Sequence, residues 1–381
     1  MISQTASRMN STAAQERLYV AFELGWKSWK LAFCSRMNDK PFLATFEARD
    51  VAALKKAIEK ARTRFGVSAA AEVVSCYEAG RDGFWIARLL EQMGVRNIVV
   101  DSSSIEVNRR AKRAKTDRLD AEKLVIMLIR HTCGEPRVWS VVRVPSVEEE
   151  DARHVQRQIR TLTKEQTRSR NRIVGLLASQ GVRAKTGRQG LLQALEHLKI
   201  WDGSLLLDGI RLRIQSEMAR YALDHEQLLL LETKRNQRIR RGATHACQKS
   251  RRIMKLRAIG PATAETLVRE VFYKDFKNGR QVGSYVGLTP SLYQSGDMSH
   301  DTGISHAGNR HARGIVIDIG WTWLRLQPDS SLSRWYQRRF GSGSPRMRKI
   351  GIVALARKLV IALWRYAEFN ELPEGALLKA A

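Results

Sequence analysis

The hydrophobic positions change period along the chain, and the changes mark its parts. From Leu18 to Leu24 the residues alternate, with Leu18, Val20, Phe22 and Leu24 on one face and Tyr19, Ala21 and Glu23 on the other. That period of two predicts a β-strand. Trp29–Phe33 and Phe42–Phe46 alternate again after short polar turns, so the three runs predict an antiparallel meander. Val51–Arg64 carries apolar residues at helical spacing. Ala71–Tyr77 is a β-rich run broken at Gly80. Gly83–Met93 reads as a helix with Trp85, Leu89 and Leu90 as its stripe, and Asn97–Asp101 as a buried strand. A meander followed by alternating strands and helices predicts an α/β domain with a mixed sheet.

A further helix is expected over residues 106–130. Its first half is basic, with Arg109, Arg110, Lys112, Arg113, Lys115 and Arg118, and its second half is apolar. From Glu148 the period lengthens. Val155, Ile159, Leu162, Gln166, Ser169, Ile173 and Leu176 follow the 4-3 spacing of a coiled-coil seam. A second long helix is expected from Ser204 to Cys247. Two long helices without strands predict a helical hairpin that serves as a dimerisation arm. The remainder mixes short segments and closes on an amphipathic helix at Ile350–Phe369. The expected division is a polar tail at 1–16, a first domain at 17–145, a helical region at 146–250 and a C-terminal, mainly α domain at 251–381.

Charge then narrows the function. The chain carries 66 Lys and Arg against 38 Asp and Glu, a formal net charge of +28. Solubility needs far less, so a polyanion, most commonly nucleic acid, is the expected partner. No run approaches the roughly 18 to 20 apolar residues of a membrane span. The first residues lack the apolar core of a secretion signal. Cys34, Cys76, Cys133 and Cys247 form no CxxC pair, which fits a reducing cytoplasm and argues against both a zinc ribbon and a disulfide scaffold. A Walker-type phosphate loop is absent, so ATP hydrolysis is not expected.

Four carboxylates stand where a metal site can form. Glu23 lies in the first strand and Glu78 ends a later one. Asp117 and Asp120 are three apart on a helix and share a face. Such a set suits Mg²⁺, which prefers oxygen ligands, and two such ions can clamp the attacking and leaving oxygens of a phosphodiester. Each acid alone also fits a surface ion pair with a neighbouring Lys or Arg. The basic flanks make sense if DNA phosphates approach the same helix.

The run Arg113-Ala-Lys-Thr-Asp-Arg-Leu-Asp-Ala121, preceded by Tyr77-Glu-Ala-Gly80, resembles the DEDD transposases of bacterial insertion sequences. These are the IS one-ten and eleven-eleven group, related to Piv-type DNA invertases. The resemblance implies a RuvC-like, RNase H-like α/β fold for the N-terminal domain. It places the family's second acid at Glu78 and its last two at Asp117 and Asp120. The first acid is Asp in the family. Glu23 stands at the matching position, one methylene longer, and is assigned as a ligand despite that departure.

Residues 287–310 carry a Gly-Leu-Thr-Pro stretch, then Ser-Gly, then Gly-Asn-Arg. They resemble the family's second hallmark. It implies a serine that attacks the DNA backbone and forms a covalent 5′-phosphoserine link, and the matching residue is Ser295. On sequence alone Ser291, Ser299 and Ser305 compete, and each also fits a turn serine. Arg310, Arg313 and His306 are candidates to neutralise a phosphate. Ala258-Ile-Gly-Pro-Ala-Thr resembles a helix–hairpin–helix turn, in which Gly260 admits a phosphate. It equally fits a helix start with proline at its first position. The Arg157–Arg172 stripe reads as a backbone track or a solvated face.

The resemblance further implies a recombinase in which a structured bridge RNA joins donor and target DNA. Residues of a dimer or tetramer would then share one composite site. Two rivals stay open. A nuclease would use the same acids to hydrolyse branched DNA, with Ser295 structural. A non-enzymatic nucleic-acid binder would survive loss of all four acids.

Overall fold

The computed structural model describes residues 16–105, 117–135, 138–183, 195–295, 298–305 and 308–380, with the backbone alone at 103, 117, 118 and 291–302. The basic residues Arg109, Arg110, Lys112, Arg113 and Lys115, the tail at 1–15 and His306 lie outside the described residues. The chain divides into two compact units, Met1–Pro145 and Ser146–Ala381.

The first unit is a five-stranded mixed sheet with helices on both faces. Its strands are β1 (Arg17–Leu24), β2 (Ser28–Cys34), β3 (Phe42–Glu47), β4 (Glu72–Glu78) and β5 (Arg96–Val100), and its helices are α1 (Val51–Phe65), α2 (Trp85–Gln92) and α3 (Asp117–Thr132). The sheet order is β3-β2-β1-β4-β5. The first three strands are antiparallel, and β4 and β5 join parallel to β1. This mixed sheet is compatible with an RNase H-like domain.

The alternation read from the sequence is what sorts its two faces. Leu18, Val20 and Phe22 pack with Leu54 and Ile58 of α1 and Ile86 and Leu90 of α2. Tyr19 and Ala21 point the other way, onto Ala121, Leu124, Val125 and Leu128 of α3. Both faces are therefore covered, as parallel pairing requires.

In the second unit, α4 (Val147–Ala178) and α5 (Asp208–Arg241) are the long helical pair. The Ser146 hydroxyl accepts from Glu149 N, and the Glu149 carboxylate accepts from Ser146 N. This reciprocal cap starts α4. The buried seam of α4 holds Ile159, Leu162, Ser169 and Ile173, then shifts from the expected Leu176 to Leu177. A strict 3.5-residue repeat drifts off the face of a 3.6-residue helix, which accounts for that step.

The long second helix also ends sooner than its periodicity implies. At Gly242 the backbone turns extended, and the Thr244 hydroxyl accepts from Cys247 N to cap a new helix, α6 (His245–Met254). Then follow α7 (Pro261–Glu270), α8 (Gly279–Tyr285), a hairpin of β6 (Pro290–Ser295) and β7 (Met298–Ile304), α9 (Arg310–Leu326), α10 (Ser331–Tyr336), a π-helical turn at Gln337–Gly341, and α11 (Pro345–Phe369). Their core is built on Leu267, Phe272, Val316, Trp323, Leu359 and Leu363. Among the described residues, no helix is long and apolar enough to cross a membrane.

Candidate functional site

The pleat of the first sheet decides where its acids point. Successive side chains alternate faces. Glu23 therefore continues the Tyr19–Ala21 face, and Glu78 continues the face of Val74 and Cys76. Both are on the α3 side. β1 and β4 pair in parallel up to Phe22 with Tyr77, so Glu23 and Glu78 follow as neighbours at the carboxyl ends of adjacent strands. Burial pushes the Cys76 thiol up, and the charge of Glu78 adds to it.

α3 is fastened over this face, and its Leu124 carbonyl accepts from Cys76 Sγ at 3.9 Å. Asp117 opens the helix and Asp120 follows one turn later. Glu23, Glu78 and Asp120 are each half-buried. Lys30 stands directly across from Glu23 on β2. The all-oxygen donor set suits Mg²⁺. Among the described residues, no three His, Cys, Asp or Glu side chains gather closely enough to hold a metal. The Asp117 side chain lies outside them.

The sequence reading overlooked an aromatic platform beside these acids. Trp26, in the β1–β2 turn, is 62% exposed. The guanidiniums of Arg49 and Arg81 lie 4.8 and 4.9 Å from its ring centre. Asp82 holds both arginines, at 3.8 and 3.4 Å. The clue was a tryptophan inside a polar turn, where no strand period needs it.

In the second unit, Ser295 is the last residue of β6. It pairs in register with Met298, the first residue of β7. The base of that hairpin is clamped. Leu288 is buried in the core, Ser305 N donates to Thr289 O at 2.9 Å, and Asn309 N donates to Tyr285 O at 3.1 Å. Gly308 has φ of +81°, and a Cβ there would meet Tyr285 O at 2.0 Å, so only glycine fits. Asn309 caps α9 by accepting from His311 N and Ala312 N. Two of the three residues of the Gly-Asn-Arg motif thus shape the turn, while Arg310 is exposed. Arg313 is 8% exposed and donates to Val286 O at 3.3 Å, so it braces the domain interior.

The helix–hairpin–helix expectation lies in α6, the turn and α7. Ala258 adopts φ of +77°. Gly260 is the N-cap of α7, and Pro261 follows inside the first turn. The first-turn N–H groups of any helix lack helical partners. Beside this turn opens a cleft of ≈ 370 Å³ whose lining includes Arg160, Lys164, Thr263, His311 and Asp318. The basic stripe of α4 is divided: Arg160 and Lys164 reach the cleft, but Arg157 is bound to Glu270 at 3.0 Å and Arg172 to Glu217 at 2.8 Å. Those two are largely spent on internal pairs.

Burial, reinforced by Arg160, Lys164 and Arg157 and opposed by Glu270, lowers the His311 imidazole to about 4. The ordinary value in an unfolded chain is about 6.5. The unfolded chain therefore takes the proton first. The stabilisation is complete above pH 6.5 and is lost as pH falls toward 4. Urea midpoints at pH 7 and pH 5 should reveal a loss of roughly 1–2 kcal/mol, allowing for solvent screening. His311→Gln should flatten that loss.

Comparisons with known proteins give this geometry a context. The profile of the family described as "Transposase IS116/IS110/IS902 family" matches residues 250–336. A Sinorhizobium fredii protein named "Putative transposase y4rJ" is 38% identical over 379 residues, covering 95% of this chain and 94% of that protein. A second protein from that organism, "Putative transposase y4qE", is 27% identical over 363 residues, covering 88% and 84%. A Pseudomonas aeruginosa protein named "Probable family 20 transposase" is 25% identical over 298 residues, covering 77% and 82%.

Proposed function

The chain belongs to the IS116/IS110/IS902 transposase family and so recombines DNA, and from that premise we propose that it cuts and rejoins strands through a serine–DNA intermediate. The observation that carries the proposal is the clamped hairpin, in which Ser295 ends β6 opposite Met298 above a hydrogen-bonded base. The Ser295 oxygen bonds to phosphorus, and the bond from phosphorus to the 3′ oxygen breaks. The strand leaves with a 3′-hydroxyl, which takes up a proton, and the serine hydroxyl gives up its own. The 5′ end stays on Ser295. Because one phosphodiester is exchanged for another ester, the reverse attack can rejoin strands without ATP.

Glu23, Glu78, Asp117 and Asp120 would hold Mg²⁺, which supplies neutralising charge at the scissile phosphate. Arg310 and the first turn of α7 at Gly260 would hold the backbone, with Arg109, Arg110, Lys112, Arg113, Lys115 and Arg118 as further contacts. A bridge RNA would choose the two DNA sites. A dimer or tetramer would bring acids and serine from different copies together.

Labelled element-junction DNA, Mg²⁺, co-purifying RNA and the full chain, run on a denaturing gel, test the proposal. Label retained on protein supports it. Free cleaved DNA with no adduct favours the hydrolytic nuclease. Glu23 gives a finer check: Glu23→Asp keeps a carboxylate and should hold adduct yield within about tenfold, whereas Glu23→Gln should lower it about 100-fold. Equal yields from both variants would remove Glu23 from the metal set.

A further inference from the structure

We propose that α10, the π-helical turn and the start of α11 bind an unpaired nucleic-acid strand, with its phosphates on exposed cations and a base in the groove beneath the Ser295 hairpin. The inference rests on the reading of the chain as a strand-exchanging enzyme, and it adds a site apart from the residues proposed above to hold metal or DNA backbone.

Charge is the first observation. No Asp or Glu occurs from Ser330 to Ala367. Arg334, Arg338, Arg339, Arg346, Arg348 and Lys349 are all exposed there. Among the described residues, no carboxylate pairs with any of the six. Elsewhere in the same unit Arg157, Arg172 and Arg238 are each tied to a glutamate. Cations left without an internal acid are placed for an external one, and six within a short surface segment suit a polyanion.

The groove is the second observation. Its volume is ≈ 780 Å³, within the size range of ligand clefts. Pro290 and Ile304, at the base of the hairpin, form part of its lining, and Trp335, Ile350, Val353 and Ile361 form another part. Lys358 Nζ lies 4.8 Å from the Trp335 ring centre. Ile350 is 50% exposed. An aromatic and aliphatic slot edged by cations accepts the flat face of a base while the backbone stays on the charges. A duplex keeps its bases stacked inside and would leave the slot empty. A second copy docking by two-fold symmetry would set these cations against themselves, which costs free energy.

The test uses the full chain without Mg²⁺, so that cleavage does not enter. Fluorescence anisotropy follows a labelled unpaired 16-nucleotide strand, in DNA and RNA forms, and the matching duplex. Ile350→Glu and Ile350→Lys change the same exposed position with opposite charge, and thermal melts confirm that both fold. Ile350→Glu should weaken strand binding tenfold or more, while Ile350→Lys stays within threefold of the parent. The form, DNA or RNA, that shows this split is the strand the groove takes. Arg338→Ala with Arg348→Ala should reduce the slope of log affinity against log salt by about 1.4.

Equal behaviour of the two Ile350 variants overturns the proposal, as does parent binding of duplex as tight as of strand. A change in molecular mass with either variant would show that a second copy occupies the groove and would also overturn it. A charge-dependent split in a chain that forms no recombination product would leave this site standing and remove the enzymatic reading instead.

Discussion

Ser295→Ala gives a chain that binds junction DNA within about threefold of the parent and forms no protein–DNA adduct at all. The expectation is all-or-none because the alanine has no oxygen to bond to phosphorus, and the metal site cannot supply a covalent link in its place. Position strengthens it. Ser295 is the last residue of β6 and pairs with Met298. Ser299 pairs with Gln294 inside the ladder. Ser305 donates its backbone N–H to Thr289 O at the hairpin base. Ser291→Ala, Ser299→Ala and Ser305→Ala should therefore keep the adduct, and together they settle the choice that the sequence leaves open. Replacing a strand-end serine by alanine should change stability by only about 0.5 kcal/mol, so an unchanged melting temperature should accompany the loss. Free cleaved DNA from Ser295→Ala at the parent rate would identify a hydrolytic nuclease. An adduct that persists would move the nucleophile elsewhere.

The first unit was legible in the sequence because its determinants are local. Alternation from Leu18 to Leu24 names the two sheet faces, and those faces put Glu23 with Tyr19 and Ala21 under α3. The carboxyl end of β4 followed from the glycine break at Gly80. What escaped was long-range. Nothing near Arg157 or Arg172 in sequence announces Glu270 or Glu217, so the stripe read either as a track for nucleic acid or as a solvated face. Arg313 sits four residues after a cap and looks like any surface arginine until its path to Val286 O is seen. His311 owes its depressed affinity for protons to Arg160 and Lys164 on a distant helix as well as to burial. The end of α5 at Gly242 was readable in principle, since Gly-Ala-Thr is a stop followed by a cap. The apolar period of the neighbouring helices masked it.

The largest stability effect belongs to a residue whose partners lie on three helices. Glu265, on α7, is fully buried. Its Oε1 accepts from Ser250 Oγ of α6 at 2.8 Å, and its Oε2 accepts from Arg238 of α5 at 2.9 Å and Arg269 of α7 at 3.3 Å. Glu265→Ala removes the only carboxylate on the described side chains that joins these groups, and Arg269, 5% exposed, is left charged in the interior. Breaking one partner of such a buried set costs about 3–5 kcal/mol, far more than a surface pair. Denaturant unfolding of the full chain should show that loss, with the first unit's transition unmoved.

Glu265→Gln separates charge from shape. It retains an acceptor for one donor but removes the charge, and roughly half of the loss should remain. The same network fixes α5 and α6 against α7, and so sets the backbone at Ala258 and Gly260 that opens the cleft beside His311. Glu265→Ala should therefore weaken DNA binding as well, and added salt should not restore it, because the defect lies in the position of the helix start rather than in the charge it presents. A stability loss under 1 kcal/mol would mean that water or relaxed arginines replace the carboxylate, and that packing of Leu267 and Phe272 alone holds the three helices together.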